Sequence, residues 1–411
     1  MPNTLPRVLA IVPSFYPSTV VGVVKPLQRL HQQGRIDLDI TLQYFATHRA
    51  IAAADVVVMC GEALPPTRRI LQSIAGLQRP FVFELDDNRL EIPSDIPGLD
   101  YARDPAQRAL IIECLRLADA VRVYSTSLRD LVHPYNANVV VVEGPLDWSA
   151  ITPRPLVPSP RPARLVYATS RLQDRIGLMV LDPLRKVLDR FPQVEVTVWG
   201  ATLDRLAHHP RVRHRRFVRN YDRFLQQFNN EHFDIGLAPL PNDLFHRCKS
   251  NNKFREYAAC GVAGIYSDTP VYSTSVVNGA TGLLVPDDPA AWFDAMAVLI
   301  EDETGRRQIG DRAHAYAREH YNDSVTGTAW MTIFSEVTSR RVTRTSNLQF
   351  KPLEAATRAG NGGSGLVAKL ISGLANSGLR ATVRRCLDYG SSIAQILSWR
   401  LRRNAVPAHA R

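Results

Sequence analysis

Short runs of β-branched and apolar residues recur along the chain, each followed by a stretch with helical spacing, and this alternation constrains the fold more than any other feature. RVLAIVP (7–13), IDLDITL (36–42), ADVVVMCG (54–61), PFVFEL (80–85), AVRVYS (120–125) and NVVVVEG (138–144) are the runs of the first part. ARLVYA (163–168), VEVTVWG (194–200), FDIGLAPLP (233–241) and VAGIYSD (262–268) are those of the second. Runs that are apolar on both faces suit strands covered by helices on either side of a parallel sheet. Their alternation with helical segments predicts an α/β chain of doubly wound sheets. Between the two series lies ITPRPLVPSPRP (151–162), with five prolines and no face that could enter a core, which reads as a stiff linker. The expected organisation is a Rossmann-like domain over 1–150, the linker over 151–162, a second Rossmann-like domain over 163–340 and a basic tail over 341–411. With 411 residues and 45% apolar content, the chain can fill two such cores.

Charge and cysteine usage narrow the function. The formal net charge is +11, but from Lys351 onward ten Lys and Arg stand against Glu354 and Asp388, an excess of eight. The two domains are therefore nearly balanced, which argues against a nucleic-acid binder. The arginine-dense HPRVRHRRFVRN (209–220) reads as a short strand carrying Val212, Phe217 and Val218, with solvated arginines between them; RNA contact is the alternative. The five cysteines, at 60, 114, 248, 260 and 386, form no Cys-x-x-Cys pair, so neither a disulfide framework nor a structural metal is expected and a reducing compartment fits. MPNTLPRVLAIVPSFYP has only about six apolar residues in a row, too few for a signal peptide or a membrane span. A cytoplasmic location is expected.

Function is written most plainly in HRCKSNNKFREYAACGVAGIYSDTPVYSTSVVNGATGLLVPDD (246–288). Ser250 suits a helix N-cap, Phe254, Tyr257 and Ala258 follow at helical spacing, and Gly261 offers a stop, so a helix is expected over about 251–260. If the turn before Ser250 is near helical, Lys249, Lys253 and Glu256 share the face opposite Phe254 and Tyr257. A helix N-terminus presents unpaired N–H groups and a partial positive charge, so with two lysines it suits phosphate, while Glu256, one turn deeper, suits sugar hydroxyls. A nucleoside diphosphate has both groups. Solvated charges on an amphipathic helix are the alternative. In the first domain, the loop 14–24 after the first strand is expected to line a ligand cleft. Asp86 and Asp87 end the PFVFEL strand, where Asp87 is a candidate catalytic acid or a cap of the next loop, and no metal site is expected there.

KSNNKFREYAACGVAGIYSD followed by NGATGLLVPDDPAAW resembles the donor-binding half of GT-B nucleotide-sugar glycosyltransferases, in particular the retaining family four. The resemblance implies two Rossmann-like domains facing across a cleft, a nucleotide-sugar donor, no metal or other cofactor, and retention at the anomeric carbon. In that family a Glu-x7-Glu motif spans this region, and Glu256 matches the second Glu, which holds the ribose. The first position is Cys248, and a subgroup with Lys-Ser-x-x-Lys-x-x-Glu-Tyr resembles this chain, Lys249 and Ser250 standing in for the acid. The resemblance further implies that Lys253 and Glu256 are catalytic and that Gly22 lets the backbone approach the donor phosphates. A Gly-Arg-x-x-x-x-Lys segment of the family is loosely matched, so Arg171 or Arg175 would hold the diphosphate. FELDDNRLEIPS resembles an element of several bacterial members, and because the last helix of GT-B proteins often crosses back to the first domain, the resemblance implies that 322–338 belongs to both. The implied activity is transfer of a hexose to an acceptor hydroxyl of a glycan or lipid-linked molecule in cell-envelope assembly; a nucleotide-sugar epimerase and a non-catalytic subunit are the alternatives. No stretch of the tail reaches the ~20 apolar residues of a span, and its expected role is an interfacial helix on anionic lipid, Trp399 at headgroup level and Arg400, Arg402 and Arg403 on phosphates; a helical appendage packing on the protein or a partner is the alternative.

Overall fold

The structure is a computed structural model of the chain, and it describes residues 5–94, 96, 100–152, 163–169, 174–200, 203–339 and 390–401. It forms two compact units, residues 1–142 with 327–411, and residues 143–326.

The first unit holds a six-stranded parallel sheet of β1 (Arg7–Val12), β2 (Asp37–Leu42), β3 (Val56–Cys60), β4 (Phe81–Leu85), β5 (Ala120–Val123) and β6 (Val139–Val141), in the order β2-β1-β3-β4-β5-β6. All but β2 and β6 of these strands are almost wholly buried, as runs apolar on both faces require. The segment expected as a loop over 14–24 is helical from Pro17: an α-helical turn, Pro17–Thr19, is followed by a π-helical stretch, Val20–Val24, and an α-helix, Lys25–Gln32. Asp104 caps the helix Pro105–Leu117, its carboxylate accepting from the Ala106 N–H at 2.9 Å.

The second unit repeats the plan with β7 (Arg164–Ala168), β8 (Glu195–Trp199), β9 (Val212–Arg215), β10 (Ile235–Ala238), β11 (Ala263–Ser267) and β12 (Leu283–Val285), ordered β12-β11-β10-β7-β8-β9. Trp292, Met296 and Leu299 of the helix Pro289–Glu301 enter its core, the plain stripe that their spacing predicts. The arginine-dense segment is structural where it is described. Arg211 donates to the carbonyls of Phe191 and Val194, Arg215 pairs with Glu231, and Arg213 lies 3.6 Å from Glu195. Phe217 and Val218 lie beyond the strand, and Phe217 is exposed.

Two expectations need correction. The first unit ends at residue 142, eight residues before the expected boundary, and reclaims the chain from Gly327. The reason is the helix Asp323–Ser339, whose Trp330, Ile333, Phe334 and Val337 are buried in the first core. The second correction concerns Trp399. Residues 390–401 are helical, and Ile396 and Trp399 are buried in that same core, Trp399 meeting His31 edge to face at 5.3 Å. Arg400 reaches the Asp39 carboxylate at 3.3 Å and the Ile40 carbonyl at 3.3 Å, so neither side chain is at a headgroup level. Arg402 and Arg403 lie outside the described residues, as does most of the linker. Among the described residues no helix is long and apolar enough to cross a membrane.

Candidate functional site

Residues 243–261 fold as two short helices and a turn. Asp243 caps Leu244–Arg247 by accepting from the His246 N–H at 3.0 Å, and the same carboxylate holds the buried His246 ring through Nδ1 at 2.8 Å. Arg247 instead bonds Asn242 at the surface. Cys248 closes that helix and is fully buried, so the chain turns before Ser250 and the next helix starts later than expected. It runs Asn252–Ala259 with Asn251, not Ser250, at the N-cap, and it ends at Gly261, whose φ of +61° a side chain would resist.

This helix is held on the sheet by its apolar face. Phe254, Tyr257, Ala258 and Ala259 are buried, and the Tyr257 hydroxyl donates to the Leu237 carbonyl at 2.9 Å. A Cβ on Gly236 of β10 would come within 2.4 Å of the Tyr257 ring, so the glycine is what lets helix and strand approach. On the other face Lys253 Nζ donates to Glu256 Oε2 at 2.6 Å, with Glu256 buried and Lys253 half-buried. Lys249 is on the preceding turn rather than in register with them, and its Nζ sits 4.4 Å above the Phe245 ring. The expected triad is therefore a Lys253–Glu256 pair with Lys249 and half-buried Ser250 just upstream.

Asn251 at the N-cap does not cap this helix with its side chain. Asn251, the residue type that most often does so, has its carboxamide engaged elsewhere: Nδ2 donates to Ser275 Oγ at 2.8 Å and to the Tyr321 hydroxyl at 2.9 Å, and Oδ1 accepts from Arg255 Nε at 2.9 Å. Arg255 is itself buried, donating through Nη1 to the Pro145 carbonyl at 2.8 Å and through Nη2 to Asn252. Ser275 in turn reaches Glu143 at 3.4 Å. Burial and the nearby Glu143 carboxylate push the Tyr321 phenol well up, so it stays a neutral hydroxyl. Sequence reasoning missed this network, because its members are polar residues at scattered positions with no shared spacing.

The remaining expected residues belong to other surroundings. Arg171 lies outside the described residues, and Arg175 starts the helix Asp174–Arg190 with its side chain undescribed. Gly22 and Asp87 belong to the first unit. Gly22 is buried in the π-helical stretch, and a Cβ there would lie 1.7 Å from the Tyr124 hydroxyl. Its smallness thus serves packing against Tyr124, and its carbonyl accepts from Arg122 at 3.2 Å, which corrects the expectation of an open approach to phosphate. Asp87 is half-buried just past β4; next to it Asn88 caps the following turn through the Leu90 and Glu91 N–H groups. Beneath them Glu84, Arg122 and Tyr124 form a buried cluster, Arg122 lying 3.6 Å from Glu84 and donating to Tyr124 at 2.6 Å. Desolvation and the neighbouring Asp86 push the Glu84 carboxyl up to about 7, against the pull of Arg122.

Comparison with known proteins bears on both units. The model of a family described as glycosyl transferase-like matches residues 179–329. D-inositol 3-phosphate glycosyltransferase of Corynebacterium efficiens is 28% identical over 267 residues, which cover 58% of this chain and 62% of that relative, under two thirds of its length. Among solved structures, Anabaena HepE in complex with UDP and glucose superposes with a TM-score of 0.59 at 14% identity, over 80% of this chain and 100% of that one. A glycosyltransferase of Rickettsia africae gives 0.60 at 13% identity, over 81% and 99%. With two six-stranded parallel sheets, each flanked by helices, this chain has the GT-B fold of these structures, and its residues 179–329 are similar to the glycosyl transferase-like family.

Proposed function

We propose that the protein transfers a sugar, of hexose type, from a nucleoside diphosphate donor to an acceptor hydroxyl without a metal ion. The observation that carries this reading is the Asn252–Ala259 helix, which Asn251 leaves without a side-chain cap and whose buried Glu256 is paired with Lys253. That geometry suits one ligand with phosphate at one end and a ribose diol at the other. The UDP bound by HepE and the glycosyltransferase name of the curated relative support the same ligand class. Chemically, the main task is to stabilise charge growing on the departing diphosphate. The helix N-terminus, Lys249, Ser250 and Lys253 supply donors for this, an effect commonly worth roughly 3 kcal/mol for a well-placed donor. Arg171 or Arg175 would add to it, and Asp87 would serve the acceptor side.

The acceptor in this reading is a glycan or lipid-linked hydroxyl of the cell envelope, reached from the cytoplasmic face. The basic excess of the tail would meet anionic lipid, and Leu397 and Leu401, 55% and 73% exposed, are the described apolar side chains available for that contact. Sedimentation with anionic and neutral vesicles tests it: equal binding to both, or to neither, would end the membrane reading.

Titration calorimetry with UDP-, GDP- and TDP-sugars, for the wild type and for Lys253→Ala and Glu256→Ala, tests the donor site. One donor is expected to bind, and each variant to weaken it at least tenfold; a wild type that binds none of the panel defeats the transferase reading. A second reading, a binding subunit without catalysis, is favoured by Cys248, a fully buried thiol where the resemblance expects a sugar-contacting acid. Formation of a glycosylated product from the bound donor excludes it, and a donor that is epimerised instead points to the epimerase alternative.

A further inference from the structure

Resting on the transferase reading, we propose that Ser392 of the terminal helix is a positioning residue for the acceptor side, holding the loop 14–16 at the ligand-facing end of the first sheet. In the order β2-β1-β3-β4-β5-β6 the chain leaves β1 on one side for β2 and comes back on the other for β3, which makes the carboxyl ends of β1 and β3 a topological switch point. Open α/β sheets bind ligands in the crevice beyond such a point, and the loop that follows β1 is one wall of it. Ser14 on this loop is 5% exposed, and its Oγ has no hydrogen-bond partner among the described residues. A buried hydroxyl placed there is suited to bond a hydroxyl of the acceptor.

The backbone of the loop decides where that hydroxyl points. Pro13 and Pro17 bracket it, and Tyr16 is extended at φ −66° and ψ 154°, as a residue before proline prefers, so both ends are stiff. Between them the Phe15 N–H donates to Ser392 Oγ at 3.1 Å. That N–H belongs to the planar Ser14–Phe15 peptide, so bonding it sets the backbone torsion of Ser14 and with it the direction of the side chain. Ser392 is itself buried, and its helix is anchored elsewhere as well. Ile396 and Trp399 lie in the first core, and Arg400 reaches Asp39 and the Ile40 carbonyl on β2. Loss of the Ser392 hydroxyl therefore releases the loop without unseating the helix.

The test uses the full-length protein, the donor that calorimetry identifies among UDP-, GDP- and TDP-sugars, and a panel of octyl and p-nitrophenyl hexosides as acceptors. In Ser392→Ala the acceptor KM should rise about fivefold, the size of one hydrogen bond's net contribution, while donor affinity and the thermal midpoint stay near those of the wild type. Hydrogen exchange at the Phe15 amide should quicken in the same variant. Arg400→Ala, which loosens the same helix through an exposed pair, should alter neither acceptor KM nor Phe15 exchange. Ser14→Ala should raise the acceptor KM as Ser392→Ala does, and the double variant should go little further, because Ser392 acts through Ser14. An unchanged acceptor KM or Phe15 exchange in Ser392→Ala, an equal loss of donor affinity, an equal rise in Arg400→Ala, or additive effects of the two serine variants would each overturn the proposal. A wild type that transfers sugar to none of the acceptors overturns the transferase reading itself, and this proposal with it.

Discussion

Glu84 is the residue whose ionisation the fold disturbs most usefully. It is enclosed by Cys60, Asp86, Arg122 and Tyr124, and desolvation with the Asp86 charge lifts its carboxyl from 4.5 to about 7. A raised acid binds its proton more tightly in the folded state, so its stabilising contribution is full below pH 4.5 and is lost as pH rises through 7. Unfolding midpoints in urea should therefore decline between those pH values, and Glu84→Gln should flatten that decline; an unaltered slope in the variant would remove Glu84 as its source. At the donor helix, Glu256→Gln retains shape but loses the charge that Lys253 neutralises at 2.6 Å. Its expected result is weaker nucleoside binding, by about tenfold, read by calorimetry. Of the residues singled out by sequence, Lys253 and Glu256 were legible because their spacing of three is a local property of any helix. The packing of Gly22 was not legible because Tyr124, which fills the place of its Cβ, lies about a hundred residues on, just past β5.

Two elements depend on contacts that their own sequences do not show. The Asn252–Ala259 helix sits close to the sheet only because Gly236 yields room to Tyr257, so Gly236→Ala should force the helix outward. A loss of roughly 2 kcal/mol is expected from such overpacking, read as a lower urea midpoint together with weaker diphosphate binding. The terminal helix, 390–401, reads by composition as an amphipathic segment with an arginine-rich end, and that description suits a lipid surface as well as a protein core. Its partners place one face of it in protein: Trp399 and Ile396 enter the first core, and Ser392 Oγ accepts from the Phe15 N–H at 3.1 Å, 377 residues away in the chain, while Leu397 and Leu401 stay exposed. Trp399→Ala should cost roughly 3 kcal/mol or more, and hydrogen exchange should show the loosening in β1, β2 and their helices. A variant as stable as the wild type would show that this burial contributes nothing.

For the whole molecule, the chain leaves the first unit at residue 142 and returns to it at 327, so that unit is completed by its C-terminal segments, while the second is one continuous stretch. Ending the chain at Thr326 removes Trp330, Ile333, Phe334, Val337, Ile396 and Trp399 from the first core at once. Hydrogen exchange on the truncated protein should find residues 5–142 unprotected and β7–β12 still protected; equal protection in both would contradict the division. By itself the sequence determined the α/β class, the two parallel sheets and the location of the Asn252–Ala259 helix. Strand burial, helical periodicity and turn chemistry are set by neighbours within a few residues, and such signals survive in a linear string. Only the tertiary structure decided where the first unit ends, what the tail packs against and which groups hold the Asn251 carboxamide. Each of these depends on side chains from segments tens to hundreds of residues apart, and no local period records which of them will meet.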